Sequence, residues 1–205
     1  MSSIVDITLL AEVFITLFVI MDPPGAIPLF LALTRNFPPK TRNRAAWQAC
    51  SVAFCVIVAF ALFGRQVLSY LHISLPALQC AGGLLLLLVA LELLTGRDQH
   101  ETATQDVNVA LVPLGTPLLA GPGAIVATMV FAEQVDAAPD LVAVAVGVTL
   151  VHVALFVTLR YSTVILRVIR ESGITLVTRI AGLLLSAIAV QLIADAVRAF
   201  IAGEG

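Results

Sequence analysis

Charged residues are scarce in this sequence of 205 residues. They make up 12% of it, where roughly 25% is usual in soluble domains, while hydrophobic residues reach 60% and the mean hydropathy is +1.06. This composition excludes an ordinary soluble domain and predicts an integral membrane protein that is surrounded by lipid. The formal net charge of -2 leaves no basic surface, so nucleic acid is not an expected partner.

Cysteine is rare as well, and Cys50, Cys55 and Cys80 all lie within apolar stretches. They lack the close CxxC spacing of zinc and redox sites, so we expect packing roles. The sequence also lacks a hydrolytic constellation and a phosphate-binding loop. We therefore expect no enzyme activity, no metal and no cofactor. The first residues carry no Lys or Arg, unlike a signal peptide, so the first apolar run is expected to remain as a span.

Apolar runs long enough to cross a hydrocarbon core of about 30 Å recur six times. They cover residues 7–34, 44–64, 76–95, 107–133, 140–160 and 176–201. The first and fourth would reach about 40 Å as straight helices, and each contains Pro-Gly near its middle. We therefore predict an all-α membrane protein of six transmembrane helices in a single domain over residues 1–205. Spans 1 and 4 are predicted to be broken at their Pro-Gly motifs.

Lys and Arg are unequally divided between the two sides that six spans would define. Nine of the eleven fall in the odd-numbered loops: Arg35, Lys40, Arg42, Arg44, Arg97, Arg160, Arg167, Arg170 and Arg179. Only Arg65 and Arg198 lie on the opposite side. Since short cytoplasmic loops carry the excess of positive charge, both termini are predicted to be outside the cytoplasm.

The chain also repeats itself at an offset of about 100 residues. Pro24-Gly25-Ala26-Ile27 recurs at 122–125, and Gln79-Cys80-Ala81-Gly82, followed by leucines, is paralleled at 179–182. Repeat 1 (about 7–95) and repeat 2 (about 107–201) would each contain three spans. Because three is odd, the two repeats must enter the membrane from opposite sides. Such inverted-topology repeats are typical of secondary transporters, although aquaporin-like channels share them.

The two Pro-Gly junctions predict a binding site near the membrane midplane. Half-helices that begin near Gly25 and Gly123 would offer free N–H groups and partial positive charge to a substrate carboxylate. Asp22 would serve a substrate ammonium or a coupling proton. The candidate substrate-binding residues are Asp22, Pro24, Gly25, Thr116, Gly121, Pro122, Gly123 and Thr128. A proline kink with a buried Asp, and glycines that only allow close helix packing, are the structural alternatives.

His152, near the middle of the fifth span, is a second candidate for ion coupling beside Asp22. Imidazole titrates near neutral pH, which suits a proton relay. A lone histidine on an apolar helix more often bonds a neighbouring helix, so that alternative stays open.

These residues resemble the MarC family of bacterial and archaeal membrane proteins, also described as small neutral amino acid transporters. The resemblance covers essentially the whole chain. It rests on Asp22 through Phe30, Ala81-Gly82-Gly83, Pro117 through Ile125, and Gly182 through Gln191. Many members have Asn where this chain has Asp22. A negative charge at this position would change which substrate or which coupling ion the site favours.

The resemblance implies a six-span protein of the cell inner membrane and, for some members, uptake of glycine and alanine coupled to protons. We therefore expect a secondary transporter of small neutral amino acids that is ion- or proton-coupled and binds an amino acid as its substrate. A channel or facilitator for a small polar solute, and a non-transporting membrane partner subunit, are the alternatives. A homo-oligomer is compatible with each of them.

Overall fold

The structure, a computed structural model, describes residues 5–95, 119–133 and 135–203. Helices dominate these ranges, which contain no strand. The helices are α1 (Ile7–Met21), α2 (Ala26–Leu33), α3 (Pro39–Leu71), α4 (Leu75–Thr95), α5 (Pro122–Glu133), α6 (Ala138–Arg160) and α7 (Ser162–Ala202). Four of them are long and apolar enough to cross a membrane, and α1 with α2 make a fifth crossing if counted as one bent span. The chain is therefore an all-helical, multi-pass membrane protein.

The first predicted span is broken where its prolines lie. The Asp6 carboxylate starts α1 by accepting hydrogen bonds from the Thr8 and Leu9 amides at 2.8 and 3.0 Å. The helix ends at Met21, and Asp22 follows in the left-handed conformation with φ 37°. The axis of α2 departs from that of α1 by 50°. The break that was predicted from Pro-Gly therefore lies at residues 22–25.

The second and third spans are separated by a shorter connection than predicted. Pro39 occupies the first turn of α3, where proline is tolerated, and the helix continues to Leu71 rather than ending near residue 64. His72 then adopts the left-handed conformation with φ 55° and ends the helix. The connection predicted at residues 65–75 is thus reduced to 72–74, because the polar end of α3 remains helical.

The fourth predicted span lies partly outside the described residues. Its second half is α5, which begins at Pro122, close to the predicted start near Gly123. Residues 107–118, the first half of that span, and most of the preceding loop belong to the range 96–118 that is not described. The described residues therefore establish four to five spans.

The last two spans agree with their predicted ranges. The Asp140 carboxylate accepts hydrogen bonds from the Asp136 and Ala137 amides and fixes the start of α6. In α7 the helical conformation is interrupted at Arg170 (φ 61°, ψ 167°), and the apolar span runs from Ser172 to Ala202. The segment before this interruption, residues 162–169, is also helical.

The helices pack in two connected groups. Helices α1, α2, α3, α5 and α6 share one core built mainly of alanine, valine and leucine side chains. Helices α4 and α7 form an extensive pair with a smaller core of their own, which includes Leu86, Ala90, Leu185 and Ala189. The pair meets the first group where α4 contacts α5 and where α7 contacts α1 and α2. The two predicted Pro-Gly junctions lie along this boundary.

Candidate functional site

The break between α1 and α2 is a consequence of proline chemistry. In a continuous helix the carbonyls of Val19 and Ile20 would accept hydrogen bonds from residues 23 and 24. Both of those residues are proline and have no N–H to donate. The carboxyl end of α1 therefore presents carbonyl oxygens without their usual donors, together with the negative end of the helix dipole.

Most N–H groups at the start of α2 are already hydrogen-bonded to nearby backbone carbonyls. The Asp22 carbonyl accepts from the Ala26 amide at 3.0 Å, and the Pro24 carbonyl accepts from the Ile27 amide at 3.1 Å. With Pro23 and Pro24 contributing no donor, the Gly25 amide is the N–H group left over. The helix start thus offers far fewer free donors than the predicted anion site requires.

Asp22 itself lies against that remaining amide. Its carboxylate faces Gly25 and the Thr178 hydroxyl of α7, although no contact meets hydrogen-bond geometry. Asp22 is 7% exposed, and both its carboxylate oxygens and Thr178 Oγ1 are buried without a hydrogen-bond partner. The described residues also offer Asp22 no salt bridge. A buried, unpaired carboxylate is costly in an apolar bundle and marks this junction as the candidate site.

Gly25 is required by the position of this carboxylate. A methyl group on Gly25 would collide with Asp22 Oδ2, and it would lie 2.7 Å from Asp22 Cγ and 3.0 Å from Thr178 Oγ1. The glycine therefore allows the acid, the backbone and α7 to approach one another. This contact explains Gly25 more directly than general helix packing does.

The start of α5 lies beside this junction but has different chemistry. The Gly121 carbonyl accepts from the Ala124 and Ile125 amides at 3.0 and 3.2 Å. A methyl group on Gly123 would collide with the Leu86 side chain and lie 3.6 Å from Ile20 Cγ2. The start of α5 therefore lies against α4 and the last turn of α1. The residue aligned with Asp22 is the buried Ala120, so the second junction carries no acid.

Of the remaining predicted site residues, Thr128, Pro24 and Pro122 are described by the structure and Thr116 is not. Thr128 is fully buried, but its hydroxyl donates to the Ala124 carbonyl of its own helix at 2.7 Å, which leaves it only an acceptor role. Pro24 lies in the junction and Pro122 begins α5. Thr116 lies outside the described residues.

His152 is bound to its own surroundings rather than to the junction. Its Nδ1 lies 2.8 Å from the Val148 carbonyl, so this nitrogen carries the proton and donates it. The ring meets Phe54 of α3 edge-on at 5.1 Å. Nε2 is buried without a hydrogen-bond partner. The hydrogen bond stays within α6 and the ring contact reaches α3, so the bond to a neighbouring helix that was the alternative for this histidine is not the one observed.

Thr178 is the residue that sequence reasoning missed. It lies one residue before Arg179 on α7, in a stretch where threonine is unremarkable because its hydroxyl can bond its own helix. Nothing in its sequence surroundings distinguishes it. Only the packing of α7 against the α1–α2 break brings its hydroxyl to Gly25 and Asp22.

Comparison with known proteins places the whole chain in one group. Residues 7–201 match the model of the MarC family, described as integral membrane proteins. A UPF0056 membrane protein of Methanocaldococcus jannaschii is 38% identical over 90% of this chain and 94% of its own length. One from Archaeoglobus fulgidus is 34% identical over 89% of both chains, and YhcE of Escherichia coli is 30% identical over 97% and 96%. No solved structure gives a significant match.

Proposed function

Because the chain belongs to the MarC family of integral membrane proteins, we propose that it is an ion-coupled secondary transporter of small neutral amino acids. Its binding site is the junction of α1 and α2 together with the start of α5. The observation that carries this proposal is Asp22, a carboxylate buried without a partner at the break of a membrane-embedded helix. Intramembrane acids of this kind characteristically belong to substrate and ion pathways.

The geometry suits a small zwitterion. The Asp22 carboxylate attracts the substrate ammonium, while the positive end of the α5 dipole favours the substrate carboxylate, since no acid stands there in competition. Gly25 and Gly123 are both closely packed, so a bulky substrate side chain finds little room beside them. This restriction favours glycine and alanine over larger amino acids.

The proposed architecture has six spans in two inverted repeats. Reciprocal packing in the α4–α7 pair supports it. A methyl group on Gly83 would lie 2.8 Å from the Ala189 carbonyl oxygen and 2.7 Å from the Ile193 side chain. A methyl group on Gly182 would lie 3.3 Å from both the Ala90 carbonyl oxygen and the Leu94 side chain. Gly83 and Gly182 are 99 residues apart, and so are Ala90 and Ala189. Two repeats that face each other across a twofold axis require such reciprocal contacts.

The other helix contacts follow the same pattern. Helix α1 packs against α6 as α5 packs against α3, and α7 contacts the first junction as α4 contacts the second. Two halves of this kind can exchange conformations and open a central site to each side in turn. We place the protein in the cell inner membrane, and the excess of Lys and Arg in the odd-numbered loops supports an orientation with both termini outside the cytoplasm.

Uptake by the purified protein in proteoliposomes tests the proposed function. We expect saturable uptake of labelled glycine and alanine, with counterflow when the vesicles are loaded with unlabelled substrate. Asp22→Asn should reduce uptake at least about tenfold, because a hydrogen bond to a charged group contributes about 1.5–3 kcal/mol. Asp136→Asn is the matched control, since Asp136 is exposed near the start of α6.

The outcome separates the transporter from its alternatives. Linear, non-saturating uptake without counterflow would indicate a channel. Absence of both uptake and thermal stabilisation by any amino acid would contradict the transporter proposal. Unchanged uptake by the Asp22→Asn variant would remove this carboxylate from the mechanism.

A further inference from the structure

The groups around Asp22 are mostly acceptors. The two carboxylate oxygens and Thr178 Oγ1 are buried without hydrogen-bond partners. The carbonyls of Val19 and Ile20 at the adjacent end of α1 have lost their helical donors to Pro23 and Pro24. The donors that face these oxygens are the Gly25 amide and the O–H of Thr178, so acceptors still outnumber donors. Such an excess of oxygen acceptors at the carboxyl end of a half-helix is the chemistry of a cation site.

The charge of these groups favours a monovalent cation. Asp22 is the one ionisable side chain among them, so a cation of charge +1 neutralises the cluster. A divalent cation would leave one positive charge unbalanced at a buried position next to α1, whose adjacent residues Val19 and Met21 are buried and apolar. Hard oxygen ligands such as carboxylate, carbonyl and hydroxyl suit an alkali ion and supply no soft ligand for a transition metal.

The packing favours a small ion. A single methyl group does not fit on Gly25, because Asp22 lies in contact with that position and Thr178 Oγ1 lies 3.0 Å from it. The backbone, the carboxylate and α7 are therefore drawn closely together around the cluster. We expect Na⁺ to be favoured over K⁺, because Asp22 Oδ2 and Thr178 Oγ1 both lie within 3.0 Å of the point where that methyl group would stand.

We propose that Asp22, the Thr178 hydroxyl and the carbonyl end of α1 form a sodium site that joins α7 to the helix break. The site deepens the proposed transport function and rests on it for its purpose. Binding of Na⁺ would tie the α4–α7 pair to the first junction, and release of the ion would free them. Thr178 acts here as an ion ligand, a role that its sequence position does not reveal.

Sodium-dependent thermal stability of the purified protein tests this inference without any amino acid. Unfolding is followed in detergent with NaCl, KCl or choline chloride at equal ionic strength. We expect the melting temperature to rise by about 3 °C or more in Na⁺ relative to K⁺ and choline, since a ligand that binds only the folded state stabilises it. Asp22→Asn and Thr178→Val should abolish this rise, whereas Thr178→Ser should retain it.

Thr149→Val is the matched control, because the Thr149 hydroxyl is exposed and bonds the Ala145 carbonyl of its own helix. This variant should keep the full response to Na⁺. Equal melting temperatures of the wild type in all three salts would overturn the sodium site. So would a melting temperature that changes between pH 6 and pH 8 but not with Na⁺, since the acid would then hold a proton.

The test keeps the two proposals separable. Stabilisation by glycine in the absence of Na⁺, with no response to Na⁺ itself, would overturn the sodium site and leave amino acid transport standing. Direct binding of radioactive Na⁺, measured with Thr178→Val and Thr149→Val, decides the matter if Asp22→Asn does not fold.

Discussion

Gly25 and Gly123 occupy matching positions in the two Pro-Gly motifs, yet their neighbours differ in kind. The space beside Gly25 is filled by the Asp22 carboxylate and the Thr178 hydroxyl, whereas Gly123 meets the apolar side chains of Leu86 and Ile20. The same small residue therefore accommodates a polar contact in one half and helix packing in the other. A side chain added at the two positions should have different consequences.

Gly25→Ala should impair function more than stability. The added methyl group must displace the Asp22 carboxylate, and a shift near 1 Å in a reacting or binding group can lower activity by tenfold or more. We expect amino acid uptake to fall by about tenfold, measured in proteoliposomes beside the melting temperature.

Gly123→Ala provides the contrast. Its methyl group meets the end of the flexible Leu86 side chain, which can turn aside at a cost of about 1–3 kcal/mol, the usual penalty for overpacking. Its melting temperature should therefore fall while the affinity for sodium persists. Equal losses of sodium affinity in both glycine variants would contradict the different roles assigned to them.

At the scale of elements, the α1–α2 break depends on two missing N–H groups. Replacing Pro23 and Pro24 together by alanine restores donors for the Val19 and Ile20 carbonyls and removes the steric clash with the preceding turn. We expect a straighter, more continuous helix that unfolds at a temperature no lower than the wild type. Uptake and the response to Na⁺ should both be lost, because the carbonyl oxygens are then engaged in the helix.

The crossing of α4 and α7 makes a second prediction at this scale. Gly83→Ala and Gly182→Ala each place a methyl group close to a backbone carbonyl of the opposite helix, at 2.8 and 3.3 Å respectively. Backbone cannot turn aside as a side chain does, so Gly83→Ala should destabilise by about 1–3 kcal/mol and Gly182→Ala by less. Chemical denaturation in detergent measures both, and the reverse order would contradict the described crossing.

At the scale of the whole molecule, the two sides of the membrane are distinguished by charge. The positive residues of the odd-numbered loops are expected in the cytoplasm, which places the carboxyl terminus after Ala202 outside it. Alkaline phosphatase fused to that terminus should be active in a bacterial host, and green fluorescent protein fused there should stay dark. The opposite pattern would overturn the predicted location of the carboxyl terminus.

Much of this architecture was open to prediction because it rests on local chemistry. Proline removes donors wherever it occurs, so the break at residues 22–25 and the start of α5 at Pro122 are readable from the sequence. The lengths of the helices were predicted less accurately. Helix α3 extends to Leu71 because the polar residues after Gly64 are still good helix formers. Polarity alone does not end a helix.

Interactions between distant segments were not readable in the same way. Thr178 is separated from Gly25 by most of the chain. Its sequence surroundings are equally compatible with a hydroxyl that faces lipid. His152 is a candidate proton carrier by residue type, and its contacts with the Val148 carbonyl and the Phe54 ring could not be read from the sequence. The role of a polar side chain in a membrane depends on which helix face meets it, and that is a property of the packed bundle.

The sequence by itself determined that this protein is a helical membrane protein, where its first span breaks, and that an acid stands at the break. Hydropathy and proline act locally, so these features need no knowledge of the fold. Only the tertiary structure decided that Asp22 faces Gly25 and the Thr178 hydroxyl, with its carboxylate oxygens buried and without hydrogen-bond partners. The balance between donors and acceptors at a buried site is set by which helices meet there, and neither hydropathy nor the positions of the prolines reveal it.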